Sequence, residues 1–236
     1  MMDRRSVLFA LALTASALAF VSTFHLVFFA APVEKTMGIV QKIFYIHVPS
    51  AYAMYLGAAA CFGGSVAYLL NPSETADAFA KAGAEMAVLF GAVVLTTGPL
   101  WAAKAWGHYW TWDPRLTTSL LSVLVYVAYL VLRNFAGGGD GEKRFAAALG
   151  ILGAANLPVI HWSVQRWSGQ HPTVITGKGG GLAHPAMRMA LSVSFVAFTL
   201  FAFALLWVRV RGELLQRRVS AAEDEAWDRN LLNENA

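Results

Sequence analysis

Charged residues are scarce in this sequence. Asp, Glu, Lys and Arg account for 14% of its 236 residues, against about 25% in a soluble domain. The remaining residues form long apolar blocks, five without any charge and one with a single glutamate. These blocks cover residues 6–32, 43–73, 82–103, 116–132, 145–165 and 189–208. We therefore do not expect a soluble globular domain.

Each block is long enough to cross the membrane, which takes about 20 mostly apolar residues in a helix. The sequence predicts an all-α polytopic membrane protein, a single bundle of six transmembrane helices with short loops. The predicted spans are 6–32, 45–70, 82–103, 116–133, 145–163 and 187–209, with outer loops at 104–115 and 164–186 and a cytoplasmic tail at 210–236. Arg4 and Arg5 also fit a cleaved signal peptide, but the first block exceeds the 7–15 apolar residues of such a signal. We expect a retained first helix.

Cysteine and several familiar motifs are also missing. Cys61 is the single cysteine, which excludes an intrachain disulfide, and the lack of Cys-x-x-Cys-His excludes a c-type cytochrome. No Walker motif is present, so any use of ATP must come from a partner. The net charge of +4 is accounted for by cations beside membrane spans, and no nucleic-acid partner is expected.

The distribution of cations predicts the orientation of the bundle. If six helices alternate, loops near 33–42, 104–115 and 164–187 share one face, and both termini share the other. The face with the termini carries more Lys and Arg, which places it in the cytoplasm. Its cations are Arg4, Arg5, Lys81, Arg133, Lys143, Arg144, Arg209, Arg211, Arg217, Arg218 and Arg229, against Lys35, Lys42, Lys104, Arg115, Arg166, Lys178 and Arg188 on the other face.

Tryptophan is concentrated in one predicted outer loop. Trp101, Trp106, Trp110 and Trp112 are four of the eight tryptophans in the chain. An aromatic belt at the membrane boundary explains one or two of them. Four together favour a platform for a large, flat, apolar ligand, on which indole rings stack while their N–H groups keep a polar contact.

The end of this loop has the pattern of a helix start. Asp113 as N-cap and Pro114 at the first helical position would open the fourth span. Arg115 is unusual there, because a cation at a helix N-terminus opposes the helix dipole. An anionic group of a ligand beside Arg115 would remove that conflict.

Histidines lie on the same predicted face as the tryptophan loop. His47 opens the second span, next to Pro49, and His171 lies in the third outer loop. Two histidines from separate elements can bind a flat metallocycle from opposite sides, as in many haem proteins. Zinc is the competing metal, but no compact zinc-ligand spacing is present. We expect His25 to be a packed helix residue and do not assign His108, His161 or His184 as ligands.

Several of these segments resemble one family. The sequence is similar to the cytochrome c maturation protein C family, also called haem exporter protein C, of the wider tryptophan-rich (WWD) haem-handling proteins. The resemblance covers about residues 37–209. It rests on Phe44 to Pro49, Trp106-Gly107 through Trp110, Trp112-Asp113, Arg115 to Thr117, Asn156 to Val164, His171 and Pro185 to Arg188.

The resemblance implies a function and a site. His47 and His171 would be the axial ligands of haem iron, and Trp106, Trp110, Trp112 and Asp113 would form the haem platform. Trp101 and Arg115 are further candidates for binding haem, from the aromatic and charge arguments above. It implies that haem b is transferred rather than kept, passing to a periplasmic haem chaperone for c-type cytochrome biogenesis. The implied partners are an ATP-binding-cassette transporter complex and a small single-span subunit, in a bacterial inner membrane. Lys104, Arg166 and Arg188 join Arg115 as candidates to pair with the haem propionates.

Three other functions remain open. A haem lyase would carry more spans and extra histidines, and a b-type electron carrier would place its histidines within the bilayer. A transporter subunit for haem or another solute is the main alternative, supported by sparse intramembrane polar residues, namely His25, Glu85 and Asn156. No nucleophile or acid–base pair indicates a conventional enzyme.

Overall fold

The computed structural model describes residues 4–136, 139–167, 171 and 182–229, and their regular structure is helical. Within these ranges, six helices are long and apolar enough to cross a membrane and no strand occurs. The predicted six-span, all-α fold class is therefore confirmed. The helices are α1 Arg4–His25, α2 Phe44–Leu70, α3 Glu74–Trp106, α4 Pro114–Phe135, α5 Asp140–Trp167 and α6 Pro185–Asp228, with a π-helical turn at Leu26–Ala30 and a 3-10 helix at Ile39–Ile43.

The largest departure from the predicted boundaries is at the end of α6. We expected the last span to end near residue 209 and a cytoplasmic tail to follow. Instead α6 continues without a break for 44 residues, which is about 66 Å at 1.5 Å per residue. The hydrocarbon core is only about 30 Å thick, so the second half of α6 extends beyond it.

Successive helices alternate in direction, so the last turns of α1, α3 and α5 lie at the same end as the first turns of α2, α4 and α6. We call this the site end. Gly107 terminates α3 there in a left-handed conformation, with φ of 80°, and its N–H donates to the carbonyl of Ala103 at 3.1 Å. At the start of α4, Asp113 accepts from the backbone N–H of Leu116 at 2.8 Å and Pro114 follows. The predicted helix start at Asp113 is confirmed.

Helices α2 and α3 pack so closely that glycine is required where they touch. A Cβ on Gly57 would lie 2.7 Å from the backbone nitrogen of Ala87, and one on Gly64 would lie 2.5 Å from that of Ala80. A Cβ on Gly83 would likewise overlap the backbone of α2. Small residues allow such approach in membranes, where van der Waals contact is a main source of helix association.

A buried ionic cluster joins α3, α4 and α6 at the end opposite the site. Asp77 accepts from Arg133 at 2.7 Å and from Arg217 at 2.6 Å, while Glu213 pairs with Lys81 at 2.8 Å. The side chains of Asp77 and Arg133 are each only 4% exposed. Buried charges need such partners, and the contacts from Glu213 and Arg217 explain why α6 stays on the bundle beyond the predicted span.

Helix α1 lies at the periphery and packs mainly on α6. Lys42, expected in an exposed loop, is instead buried at 6% exposure. Its ammonium group donates to the carbonyls of Val27 and Ala31, the latter at 3.3 Å, and lies 5.5 Å from the centre of the Phe28 ring. A cation at the C-terminal end of a helix satisfies unpaired carbonyls and complements the dipole. Lys42 thus ties the end of α1 to the start of α2.

The connection between α1 and α2 is ordered by an exposed carboxylate. Glu34 accepts from the backbone N–H of Met37 at 2.5 Å and of Thr36 at 2.7 Å. The bond from Met37 is the main cause that lowers the pKa of Glu34. The turn is therefore stabilised while Glu34 is ionised, and this contribution is lost as the pH falls through the lowered pKa.

The glycine contact between α2 and α3 generates a stability prediction with a control on the adjacent residue. Gly64→Ala would place a methyl group against the α3 backbone, whereas Gly63→Ala would meet nothing within 4 Å. We expect Gly64→Ala to lose about 1–3 kcal/mol of stability, because the two helices must separate. Thermal unfolding in detergent should show a lower midpoint for Gly64→Ala and a nearly unchanged one for Gly63→Ala. Equal midpoints would contradict the close packing.

Candidate functional site

His47 lies in the first turn of α2 and faces α3. The 3-10 helix Ile39–Ile43 leads directly into α2, so the chain remains helical up to the histidine. The ring Nδ1 lies 2.9 Å from the hydroxyl of Thr97, fifty residues later in the sequence. Gly98, the next residue, leaves room for the ring, since a Cβ there would lie 3.3 Å from the Cε1 atom of His47. The α2–α3 contact therefore sets the position of His47.

His171 lies at the same two cavities as His47. The two histidines line the same two adjoining cavities at the site end, although they belong to different parts of the chain. The cavities measure about 60 Å³ and 50 Å³. The described residues that line the first are Phe44, His47, Val48, Gly98, Trp101, Trp106, Leu116 and His171. The second shares His47, Gly98, Leu116 and His171 with the first, and its other lining residues include Tyr55, Pro99, Trp110, Arg115 and Ile160.

Three of the four tryptophans expected at the site line these cavities. Trp101 and Trp106 meet edge to face in the first cavity, with ring centres 5.8 Å apart. Trp110 lines the second cavity and makes a similar contact, at 5.7 Å, with Trp112. Trp112 itself is 75% exposed and lines neither cavity. It extends the aromatic surface outward from the cavities.

The indole N–H groups of two of these tryptophans have no partner within the described part of the chain. They belong to Trp101 and Trp110, and both nitrogens are buried. A buried donor without an acceptor costs about 1–3 kcal/mol. The site therefore carries two donors that an acceptor on a bound molecule would satisfy.

Among the described residues that line the cavities, Arg115 is the one cation of the Lys and Arg type. It is half-buried in the first turn of α4 and lines the second cavity with both histidines. Asp113, two residues earlier, caps α4 through Leu116. The sequence thus brings Asp113 to the edge of the site and Arg115 into it.

The other candidate cations lie elsewhere. Arg188 donates to the carbonyls of Leu182 and Ala183, each at 3.0 Å, at the start of α6. Arg166 lines a separate surface pocket with Trp162, and Lys104 is exposed at the end of α3. Lys178 falls outside the described residues, as does most of the predicted outer loop at 164–186.

The remaining histidines are not among the described residues that line the two cavities. His184 caps α6 by accepting from the N–H of Ala186 at 3.2 Å. His161 is exposed on α5, and His108 lies beside Trp106 with ring centres 6.1 Å apart. The expectation that His25 is packed in the bundle is wrong, because His25 is exposed and stacks on Phe29.

Two of the three intramembrane polar residues that supported a transporter pathway, Glu85 and Asn156, make contacts between helices instead. Glu85 binds Arg209 through two hydrogen bonds of 2.5 Å and 2.6 Å. Asn156 donates to the carbonyl of Thr118 and to the hydroxyl of Ser122, both at 2.8 Å. These bonds join α3 to α6 and α5 to α4.

Sequence reasoning missed Thr97 and Gly98. They lie inside an apolar predicted span, where threonine and glycine are common. The available signal was position: both lie near the end of a span that terminates on the same face as His47. Phe44, which also lines the first cavity, was noted only as part of the family resemblance, and Leu116 also as the start of the fourth span.

Comparisons with known proteins identify the family of the chain. The chain is similar to the heme exporter protein C of Bradyrhizobium diazoefficiens, at 34% identity over 194 residues that cover 82% of this chain and 74% of the relative. It is similar to the protein of the same name from Escherichia coli K12, at 32% identity, with 78% and 75% covered. The protein of that name from Paracoccus denitrificans is 28% identical, with 82% and 81% covered. A family model described as heme exporter protein C matches residues 2–225, and the chain belongs to that family.

Proposed function

We propose that this protein binds haem b at the periplasmic face of the inner membrane and delivers it to a periplasmic haem chaperone for c-type cytochrome biogenesis. Family membership supports the haem-handling role. The observation that carries the finer proposal is that His47 and His171 line the same two cavities. Imidazole is a common axial ligand of haem iron, so two histidines from separate elements supply both ligands.

The aromatic surroundings suit the ring system of haem. Trp101 and Trp106 line one cavity and Trp110 the other, together with aliphatic side chains. Indole faces contact apolar ring edges, while the unpaired indole N–H groups of Trp101 and Trp110 provide donors. An anionic ligand that carries oxygen acceptors at its rim satisfies both features.

Arg115 supplies the charge that such a ligand needs. Arg115 lines a cavity with both histidines. Guanidinium matches a carboxylate in a bidentate way, so Arg115 is assigned to a haem propionate. This pairing also explains a cation at the N-terminus of α4, where the helix dipole is unfavourable to it.

The size of the cavities favours transient binding. At about 60 Å³ and 50 Å³, they are far smaller than the roughly 300–1,000 Å³ of ordinary small-molecule pockets. Haem must therefore push the lining apart and keep part of its edge outside. A partly exposed haem with two imidazole ligands remains accessible to a competing ligand on a chaperone.

The protein is proposed to act as a transfer scaffold and not as a conventional enzyme. Its sequence carries no Walker motif, so energy from ATP would come from an ATP-binding-cassette complex beside it, with a small single-span subunit as a further partner. The excess of cations on the face with both termini supports cytoplasmic termini and a periplasmic site.

The ligand assignment predicts the spectrum of the protein. Detergent-purified wild type supplied with haem should show a Soret band, which His47→Ala and His171→Ala should each weaken or shift by removing an axial ligand. His161→Ala is the matched control, because His161 is exposed and does not line the cavities. A wild type that binds no haem, or a His47→Ala spectrum identical to wild type, would refute the assignment.

The role of Arg115 predicts discrimination between two forms of haem. Wild type should bind haem more tightly than its dimethyl ester, which lacks the propionate charges. Arg115→Gln should lose about tenfold to a hundredfold in haem affinity and most of this preference, since a hydrogen bond to a charged group contributes about 1.5–3 kcal/mol. Arg166→Gln is the control, because Arg166 is exposed and lies in a separate pocket. This variant should retain both the haem affinity and the preference for haem over the ester. If Arg115→Gln still prefers haem over the ester, the pairing with a propionate is wrong.

If the protein delivers haem, it should transfer haem preferentially to the haem chaperone and should not simply release it into solution. When tagged, haem-loaded protein is mixed with the soluble haem chaperone and then removed on resin, the Soret band should appear in the unbound chaperone. Apomyoglobin, which captures any free haem, provides the control for passive loss. Equal rates of transfer to both acceptors would indicate release without delivery.

A further inference from the structure

The hydroxyl of Thr97 lies between His47 and a backbone carbonyl. Its Oγ1 atom is 2.9 Å from Nδ1 of His47 and 2.6 Å from the carbonyl oxygen of Val93, one turn earlier in α3. Both distances are within hydrogen-bonding range. The three groups form a short chain that runs from the backbone of α3 to the imidazole of α2.

The proton on each atom of this chain follows from its chemistry. A hydroxyl has one proton, and the Val93 carbonyl can only accept. Thr97 must therefore donate to Val93, since otherwise two oxygens would face each other at 2.6 Å without a proton between them. The lone pairs of Oγ1 then face His47, so Nδ1 of His47 carries a proton and donates it. In a neutral imidazole, this leaves the lone pair on Nε2.

The backbone of α3 fixes the ring from the same side. A Cβ on Gly98 would lie 3.3 Å from Cε1 and 3.9 Å from Nδ1 of His47. The edge of the ring that carries these two atoms therefore rests on α3. His47 also lines both cavities with His171, which leaves Nε2 as the nitrogen available to an iron atom between the histidines.

We propose that Thr97 is a positioning residue that keeps His47 in the Nδ1–H tautomer and so presents Nε2 to the haem iron. This inference rests on the proposed function, because it assumes that His47 is an axial ligand. Histidines that bind metals commonly donate their other N–H to an acceptor, which fixes the ring and makes the ligand more basic. Here a threonine, oriented by its own bond to Val93, supplies that acceptor.

Thr96 provides a matched control on the same helix. Its hydroxyl also donates to a carbonyl one turn earlier, that of Ala92 at 2.8 Å, but Thr96 is exposed and has no contact with His47. Thr97→Val and Thr96→Val therefore remove the same group and the same type of backbone bond. Only Thr97→Val removes the acceptor of His47.

The test is a haem titration of the full-length protein in detergent, followed by absorption spectra, with thermal midpoints recorded in parallel. Thr97→Val should bind haem about 10- to 100-fold more weakly, as is typical when the acceptor behind a metal-bound histidine is lost. Its spectrum at saturation should shift from six-coordinate, low-spin haem toward five-coordinate haem. Thr97→Ser, which keeps the hydroxyl, should restore both, and Thr96→Val should match wild type. If Thr97→Val does not fold, Thr97→Ala is used in its place.

The outcomes separate the two proposals. If His47→Ala lowers affinity and changes the coordination spectrum but Thr97→Val and Thr97→Ala do neither, the role of Thr97 is wrong and the ligand assignment stands. If His47→Ala itself has no effect, the proposed function fails and the role of Thr97 fails with it. A lower thermal midpoint for Thr97→Val with an unchanged spectrum at saturation would show a structural role only and overturn the inference.

Discussion

The contact between the backbones of α2 and α3 is the constraint on which the site depends. Gly57, Gly64 and Gly83 bring the two helices together where a single methyl group would not fit. The helices are antiparallel, so a contact that continues along their length brings the start of α2 against the end of α3. Gly98 lies at that end, directly against His47. The position of one candidate ligand therefore follows from packing throughout the membrane.

Polar contacts at the two ends complete the bundle. At the end opposite the site, Asp77 joins α3 to both α4 and α6 through Arg133 and Arg217. At the site end, Lys42 ties α1 to the start of α2 through two backbone carbonyls. Groups of this kind are costly in a low-dielectric environment unless they are paired. Because each group must meet its partner, their pairing restricts how the helices can be arranged. Apolar contacts between helices in lipid impose a weaker restriction.

The site combines a fixed part with a part that is left incomplete. His47 is fixed by α3, and Asp113 fixes the start of α4. By contrast, the indole N–H groups of Trp101 and Trp110 lack partners among the described residues, and the cavities beside the histidines are small. A bound ligand can accept hydrogen bonds from these unpaired N–H groups. To reach them, however, it must move apart the side chains that line the cavities. This balance is consistent with the proposed role, in which haem is bound and then passed to another protein.

The sequence alone determined the spans, the face on which the candidate residues meet and the start of α4 at Asp113. These depend on hydropathy, alternation and local capping, which are properties of neighbouring residues. It also singled out His47 and His171 as candidate ligands, from their predicted shared face and from the family resemblance. It did not distinguish Trp110, which lines a cavity, from Trp112, which is largely exposed, or show that α6 continues to Asp228. Nor did it separate Thr97 from Thr96, since both are threonines in one apolar run and differ only in the helix face on which they lie. The tertiary structure decided these points, because contacts between residues far apart in the chain depend on how the helices pack.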